Sequence, residues 1–201
     1  MNIRPVISLF ALIASCLFTS AQPYFGNGIK IGETMTDSII VWLRLTDLAE
    51  PKWDGLPWLG VEDRDFEVGE LGEKQFPAGA ILSEMAGSLS GIAGEVRLSW
   101  SPEGGAGALR QTGWLSVDSR RDFTRQVTLE GLASNQSYAL KIESRSLDGK
   151  KGQSILGSFK TSLGPTQSDP FRFVISTCQS WKTRDKGTAG LQIYDEMLAL
   201  D

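Results

Sequence analysis

Two residue types set the limits on the chemistry of this sequence: cysteine, which occurs twice, and histidine, which does not occur. Cys178 follows an apolar segment and precedes a polar one, a junction at which a thiolate can bind a metal ion. An isolated cysteine also packs as a small apolar residue, and this structural interpretation stays open. Because metal-dependent hydrolases commonly use imidazole ligands, we expect that these 201 residues alone do not hold a complete metal site.

Three carboxylates at alternate positions are a second candidate for metal binding: Asp63, Asp65 and Glu67. Calcium ions prefer several oxygen ligands, but no bounding glycine and no spacing of a known calcium loop accompanies these residues. A solvated acidic turn is therefore the favoured interpretation. The net charge of the chain is −4 and its basic residues form no stripe, which argues against nucleic acid as a partner.

The first 21 residues have the pattern of a signal peptide. Arg4 supplies a positive charge, residues 6–18 are apolar apart from two serines, and small residues lead up to Ala21. The apolar segment is too short for a comfortable membrane span, so we expect Sec-type export to the periplasm or the extracellular space. A lipoprotein anchored at Cys16 is the alternative. After cleavage Cys178 is the single thiol, so it has no cysteine in the same chain to pair with.

Short strands separated by turns extend from residue 24 to about residue 162, without sustained helical periodicity. Residues 39–46 are β-branched and aromatic, which is typical of a strand inside a packed sandwich, and Asp148-Gly149 predicts a tight turn. Apolar side chains recur with period two along the other strands, which predicts that they point into a core between two sheets. This inward set is Val96, Leu98, Trp100, Leu129, Tyr138, Leu140 and Ile142. The pattern predicts an all-β sandwich of the immunoglobulin or fibronectin III type.

The segment from Leu132 to Tyr138 resembles the corner between strands E and F of fibronectin III domains. In that corner the tyrosine hydroxyl forms a hydrogen bond back to the turn. Asn135-Gln136-Ser137 also has the form of a glycosylation acceptor, but the turn is the stronger interpretation. We therefore expect Tyr138 to be buried and bonded to the backbone of this turn.

Residues 51–94 are longer than a usual loop of a sandwich. They carry four aromatic side chains among glycines and acidic residues: Trp53, Trp58, Phe66 and Phe76. We expect these side chains to cover a neighbouring surface rather than to bind a ligand.

The pattern changes after residue 162. Residues 163–170 form a short polar linker with two prolines, and residues 171–177 are predicted to form a strand. A polar loop follows, and Thr188 can cap a helix with one apolar face, formed by Leu191, Tyr194, Met197 and Leu198. Strand, loop and helix are the opening of an α/β unit, and Cys178 follows the carboxyl end of its strand, where active sites of such sheets lie.

Three segments of the chain resemble the PhoD-like phosphatases, the alkaline phosphatase D family of calcineurin-like metallophosphoesterases. Residues 32–46 are similar to the opening strand of that family, and residues 91–97 resemble the strand after it. Residues 171–179 resemble the start of its catalytic domain, where Ser-Cys-Gln or a close variant follows a strand. Thr177 stands here in place of the serine, and Arg4 stands alone where well-known members carry a twin-arginine signal.

The resemblance implies an N-terminal immunoglobulin-like sandwich followed by an αββα phosphoesterase domain that hydrolyses phosphate monoesters and diesters. It implies iron and calcium as cofactors, and it places the iron ligand of the matching motif at Cys178; a thiolate is a suitable soft ligand for iron. The other metal ligands are then expected beyond Asp201, so the segment itself is expected to be inactive. On this interpretation residues 1–21 are the signal peptide, 22–162 the sandwich, 163–170 the linker and 171–201 the truncated start of the metallophosphatase domain. We expect a monomer that acts on a phosphate ester.

The competing hypothesis is an extracellular binding or adhesion module of the fibronectin III type, without catalysis. The segment 171–201 argues against it, because a strand and an amphipathic helix without partner strands cannot bury their apolar faces.

Overall fold

The computed structural model describes residues 21–59, 76–104, 107–166, 173–175 and 193–199. The chain divides into two compact units, Met1–Gly164 and Pro165–Asp201. The predicted signal peptide lies outside the described residues apart from Ala21. The bounds of signal peptide, sandwich, linker and catalytic segment given above stay predictions.

The first unit is an antiparallel β-sandwich. Its strands within the described residues are β1 (Ile29–Gly32), β2 (Ser38–Arg44), β3 (Glu95–Pro102), β4 (Arg110–Gln111), β5 (Leu115–Ser116), β6 (Thr124–Glu130), β7 (Ser137–Arg145) and β8 (Lys151–Lys160). One sheet has the order β1-β2-β6, and the other has the order β4-β3-β7-β8 with β5 also paired to β3. The prediction of an all-β sandwich is confirmed at this level.

The core lies between the two sheets and follows the period-two pattern of the sequence. All seven side chains predicted to point inward are buried, because alternate residues of a strand face the same side of its sheet. In the three-stranded sheet, strand β2 contributes Ile39, Val41 and Leu43, each with no exposed surface. Pairing of Leu98 with Ile142 and of Trp100 with Leu140 places β3 and β7 in the register that keeps these apolar sets on one face.

Two predicted strands have different bounds in the structure. The strand predicted from residue 39 to 46 ends at Arg44, because Thr46 forms isolated bridges with Tyr24 and Gly91 instead of continuing the ladder. The apolar pattern also predicts a last strand over residues 155–161, and in the structure this strand begins at Lys151. The turn before it is where the sequence placed it, with Gly149 at a φ of 86°, a conformation that glycine adopts without a steric cost.

The predicted tyrosine corner is present. The backbone N–H of Ala133 donates a hydrogen bond of 2.8 Å to the hydroxyl oxygen of Tyr138. The Tyr138 ring is 4% exposed and stacks on Phe159 with ring centroids 5.2 Å apart. Asn135 has a φ of 52° at the tip of the turn, in the left-handed region that asparagine tolerates. The turn interpretation of this segment is therefore confirmed.

Replacing Tyr138 by phenylalanine is expected to lower the free energy of unfolding by about 1 kcal/mol, because the N–H of Ala133 loses its acceptor while the stacked ring is kept. Urea denaturation of the chain from residue 22 measures the change. Tyr24→Phe is the matched control, since the Tyr24 hydroxyl bonds to Gln22 over 3.4 Å and its loss is expected to cost less than about 0.5 kcal/mol. Equal losses for both variants would contradict the role of the corner.

The second unit is described at two short segments. Helix α1 (Ile193–Leu198) lies within the predicted helix, whereas Thr188 and Leu191 lie outside the described residues. Residues 173–175 have no strand pairing, and Phe173 and Ile175 are 69% and 79% exposed. At these three positions the predicted strand is not observed. The described residues thus show no β-α unit, and they contain no helix long and apolar enough to cross a membrane.

Candidate functional site

The residue that the sequence singles out for metal binding, Cys178, lies outside the described residues. The same holds for Cys16 and for the acidic group of Asp63, Asp65 and Glu67. Within the described ranges, no group of three or more Cys, Asp or Glu side chains is placed to hold a metal ion. The described residues therefore do not supply a donor set for iron or calcium.

The connection between β2 and β3, residues 45–94, is an organised structure in its described parts, and we call it the β2–β3 excursion. Backbone bridges join Lys52 to Ser88 and Leu56 to Met85. The Met85 side chain has no exposed surface and forms the centre of this substructure. Backbone pairing and a buried centre indicate a defined conformation rather than an irregular loop.

Two aromatic residues of this excursion, Trp58 and Phe76, pack on each other. The Trp58 and Phe76 ring centroids are 5.3 Å apart. The indole N–H of Trp58 donates a hydrogen bond of 2.8 Å to the carbonyl of Ala86. The expectation that these aromatic side chains cover a neighbouring surface rather than bind a ligand stays a prediction; Trp53 is 40% exposed and Phe66 lies outside the described residues. Several aliphatic side chains of the excursion are largely exposed, among them Ile81 and Leu82 at 61% each.

Arg44, at the end of β2, joins three separate segments of the chain. Its guanidinium donates to the side-chain oxygen of Asn27 over 3.1 Å and to the carbonyl of Leu89 over 2.9 Å. It also donates to both the backbone carbonyl of Asp122 over 3.2 Å and a carboxylate oxygen of that residue over 2.9 Å. The Arg44 side chain is 13% exposed and that of Asp122 is 67% exposed. Arg44 thus connects the excursion and the N-terminal segment to the turn before β6.

That turn contains two consecutive residues with left-handed backbone conformation, Asp122 with a φ of 51° and Phe123 with a φ of 56°. Non-glycine residues rarely adopt this region, and a bulky one does so at an energetic cost. Arg44 holds the first of them, and the Phe123 ring lies against Gly91. A Cβ at position 91 would be 2.1 Å from a ring carbon of Phe123, so the residue there must be glycine unless the ring moves.

The outer face of the five-stranded sheet carries a group of charged side chains around Trp114. The guanidinium groups of Arg97 and Arg145 lie 4.6 Å and 4.2 Å from the Trp114 ring centroid. Glu143 accepts hydrogen bonds from Lys141 over 2.9 Å and from Arg97 over 2.8 Å. The bond from Lys141, and then that from Arg97, lowers the pKa of the Glu143 carboxyl below its usual value. This group fastens the segment before β5 to the sheet by cation–π and ionic contacts.

Comparison with known proteins gives partial similarities to solved structures. No protein-family model and no curated protein sequence matches the chain. Among solved structures, PhoD is similar with a TM-score of 0.43 and 18% identity over 76% of this chain and 22% of that chain. The fibronectin III domain of the human collagen alpha-1(XX) chain follows with a TM-score of 0.38, 15% identity, and coverage of 76% of this chain and 95% of that chain. A fibronectin III domain of the human KIAA0970 protein has a TM-score of 0.37 and 13% identity over 80% and 85% of the two chains.

The class that the fold defines is the antiparallel β-sandwich. The sequence identities and TM-scores of these matches are too low to assign an activity to the chain. The chain spans 22% of the length of the PhoD structure that it resembles.

Sequence reasoning did not find the junction around Arg44. Nothing in the local sequence marks Arg44 as a residue that contacts three segments, since its partners lie 17, 45 and 78 positions away. The left-handed conformation of Phe123 is equally hidden, because phenylalanine carries no local preference for it.

Proposed function

We propose that this chain is the N-terminal part of an exported, metal-dependent phosphoesterase of the alkaline phosphatase D type. The observation that carries the proposal is the order of its parts: an antiparallel sandwich with a tyrosine corner, then a polar segment with two prolines, then the apolar segment 171–177 followed by Cys178 and Gln179. The other two segments that resemble the family fall on the core of the sandwich. Residues 32–46 contain β2, and residues 91–97 lead into β3.

In this proposal Cys178 binds iron as a thiolate, and the remaining iron and calcium ligands are supplied by residues after Asp201. The bound metal ions would provide Lewis-acid activation of the phosphate ester. The sandwich is the N-terminal domain of the enzyme, which we expect to act as a monomer in the periplasm or the extracellular space. Anchoring through Cys16 is the alternative mode of export.

The test compares the segment with the full-length protein. Purified 22–201 is expected to release no p-nitrophenol from p-nitrophenyl phosphate at any added concentration of iron or calcium, because the segment contains no histidine and the remaining metal ligands are expected after Asp201. The full-length protein that contains this segment is expected to hydrolyse the ester, and chelation of its metals is expected to abolish the activity. Circular dichroism of 22–201 serves as the folding control.

Two outcomes would overturn the proposal. Turnover by 22–201, with the phosphatases of the expression host excluded, would show that the site is not where the family motif puts it. A full-length protein that binds neither iron nor calcium and cleaves no phosphate ester would favour the second candidate, a fibronectin III-like binding or adhesion module. The observation behind this second candidate is that the core between the two sheets is complete within residues 21–166.

A further inference from the structure

A cavity of about 480 Å3 lies where the β2–β3 excursion meets the end of strand β2. Its walls include Ile81, Leu82 and Leu89 of the excursion and the ion pair of Arg44 with Asp122. Volumes of this size are typical of small-ligand sites, in which a mostly apolar wall carries a few polar groups. All the residues that line the cavity belong to the sandwich unit.

The backbone at the wall of this cavity is strained, since Asp122 and Phe123 are both left-handed. Such conformations cost on the order of 1–3 kcal/mol each and persist where the surroundings impose them. Two bonds from Arg44 impose the conformation here, through the backbone carbonyl and one carboxylate oxygen of Asp122. The consequence is a carboxylate fixed at the edge of the cavity, with 67% of its side-chain surface exposed.

The hydrogen-bonding state of the ion pair decides which charge a ligand meets. Arg44 makes four hydrogen bonds to Asn27, Leu89 and Asp122, which leaves one of its five N–H groups. The Asp122 carboxylate accepts through Oδ1, and its second oxygen has no partner among the described residues. The exposed side chain is the carboxylate, and the arginine is 13% exposed behind it. An anionic ligand would therefore be repelled by the exposed Asp122 carboxylate before it could reach Arg44.

The apolar part of the wall narrows the ligand class further. Ile81 and Leu82 are each 61% exposed, so they present aliphatic surface that a methylene chain can cover. None of the described lining residues is aromatic, which removes the ring stacking that a sugar or a quaternary ammonium group would use. A primary ammonium on an alkyl stem has both a positive charge for the Asp122 carboxylate and methylene groups for the aliphatic wall.

We propose that this cavity binds an alkylammonium group, with Asp122 as its ionic partner and Ile81, Leu82 and Leu89 around its methylene stem. Two sources carry this chemistry: a free diamine, and the side chain of a lysine in a peptide. The lining also contains serine residues such as Ser90, whose hydroxyl oxygens can accept hydrogen bonds from an ammonium group.

Isothermal titration of the full-length protein tests the proposal with three probes: cadaverine, Nα-acetyl-lysine methylamide, and the norleucine analogue, which keeps the stem without the charge. We expect saturable binding of the lysine probe with a Kd on the order of 1 mM and weaker binding of the norleucine analogue. If cadaverine binds and the lysine probe does not, the site is specific for free diamines. If both probes bind, the site accepts an alkylammonium group from a diamine or from a lysine side chain.

Two variants locate the binding. Asp122→Asn keeps an acceptor for Arg44 and a residue that tolerates the left-handed region, and it is expected to weaken binding about fivefold, as for an exposed ion pair. Glu84→Gln is the matched control on the excursion, because Glu84 accepts a hydrogen bond from the Ile81 N–H without lining the cavity; it is expected to bind like the parent protein. The proposal is overturned by equal affinity of the norleucine probe, by unchanged affinity of Asp122→Asn, by equal loss in both variants, or by no saturable heat.

Discussion

Replacing Cys178 by serine in the full-length protein is expected to remove iron and most phosphatase activity while the fold survives. A serine hydroxyl is a poor replacement for a thiolate, which is the soft, anionic donor that the proposed iron site needs. Loss of an outer-shell partner of a metal ligand already costs about 10–100-fold in metal affinity or activity. Loss of a ligand itself is expected to cost at least as much. Iron counted per chain and ester hydrolysis, measured on one preparation, report the effect.

Cys16→Ser is the matched control for this experiment, because it removes the other cysteine of the sequence. Under plain Sec export it is expected to leave iron content and turnover unchanged, since residue 16 is removed with the signal peptide. If Cys178 is a structural thiol, the serine variant keeps its iron and loses only some stability. Wild-type iron and wild-type turnover in Cys178→Ser would therefore disprove the metal assignment.

Leu98→Ala is expected to lower the free energy of unfolding of the sandwich by about 2–5 kcal/mol. Leu98 lies on the central strand β3, has no exposed surface, and pairs with Ile142 of β7. Its truncation removes apolar contacts from both sheets and leaves a cavity that the surrounding strands can close only in part. Urea denaturation of 22–201, followed by tryptophan fluorescence, measures the change.

Leu156→Ala makes the same chemical change on the neighbouring strand pair. Leu156 lies on β8 opposite Lys141 of β7 and is 77% exposed. Its replacement is expected to change the free energy of unfolding by less than about 0.5 kcal/mol, as for most surface substitutions. If Leu98→Ala and Leu156→Ala lowered the free energy of unfolding by similar amounts, the observed assignment of one face of the five-stranded sheet to the core and the other to solvent would be wrong.

The local sequence pattern was sufficient to predict most of the strands and buried faces of the sandwich. The alternation at Val96, Leu98 and Trp100 predicted which face of β3 is buried, because successive side chains of a strand point to opposite sides. The segment up to Tyr138 predicted a turn and a hydrogen bond that the structure contains. Patterns of this kind depend on neighbours in sequence, so they can be recognised without knowledge of the fold.

The predicted strand 171–177 is a segment for which local sequence pattern was not sufficient. Its apolar composition is compatible with a buried strand, yet residues 173–175 are exposed and lie outside any strand of the described residues. A strand of this type is stabilised only by partner strands that lie elsewhere in the chain. Composition can therefore indicate the tendency of such a segment, but not its final state.

The sequence by itself determined the sheet-forming segments, their inward faces and the tyrosine corner, because periodicity and turn chemistry act over a few residues. It also determined the motif around Cys178, on which the proposed activity depends. Only the tertiary structure decided that Arg44 would bring Leu89 and Asp122 together over 45 and 78 positions of sequence. It likewise decided that Phe123 would take a left-handed conformation against Gly91. The physical reason is that these features arise from contacts between distant segments, whose energies overcome the local preference of each residue.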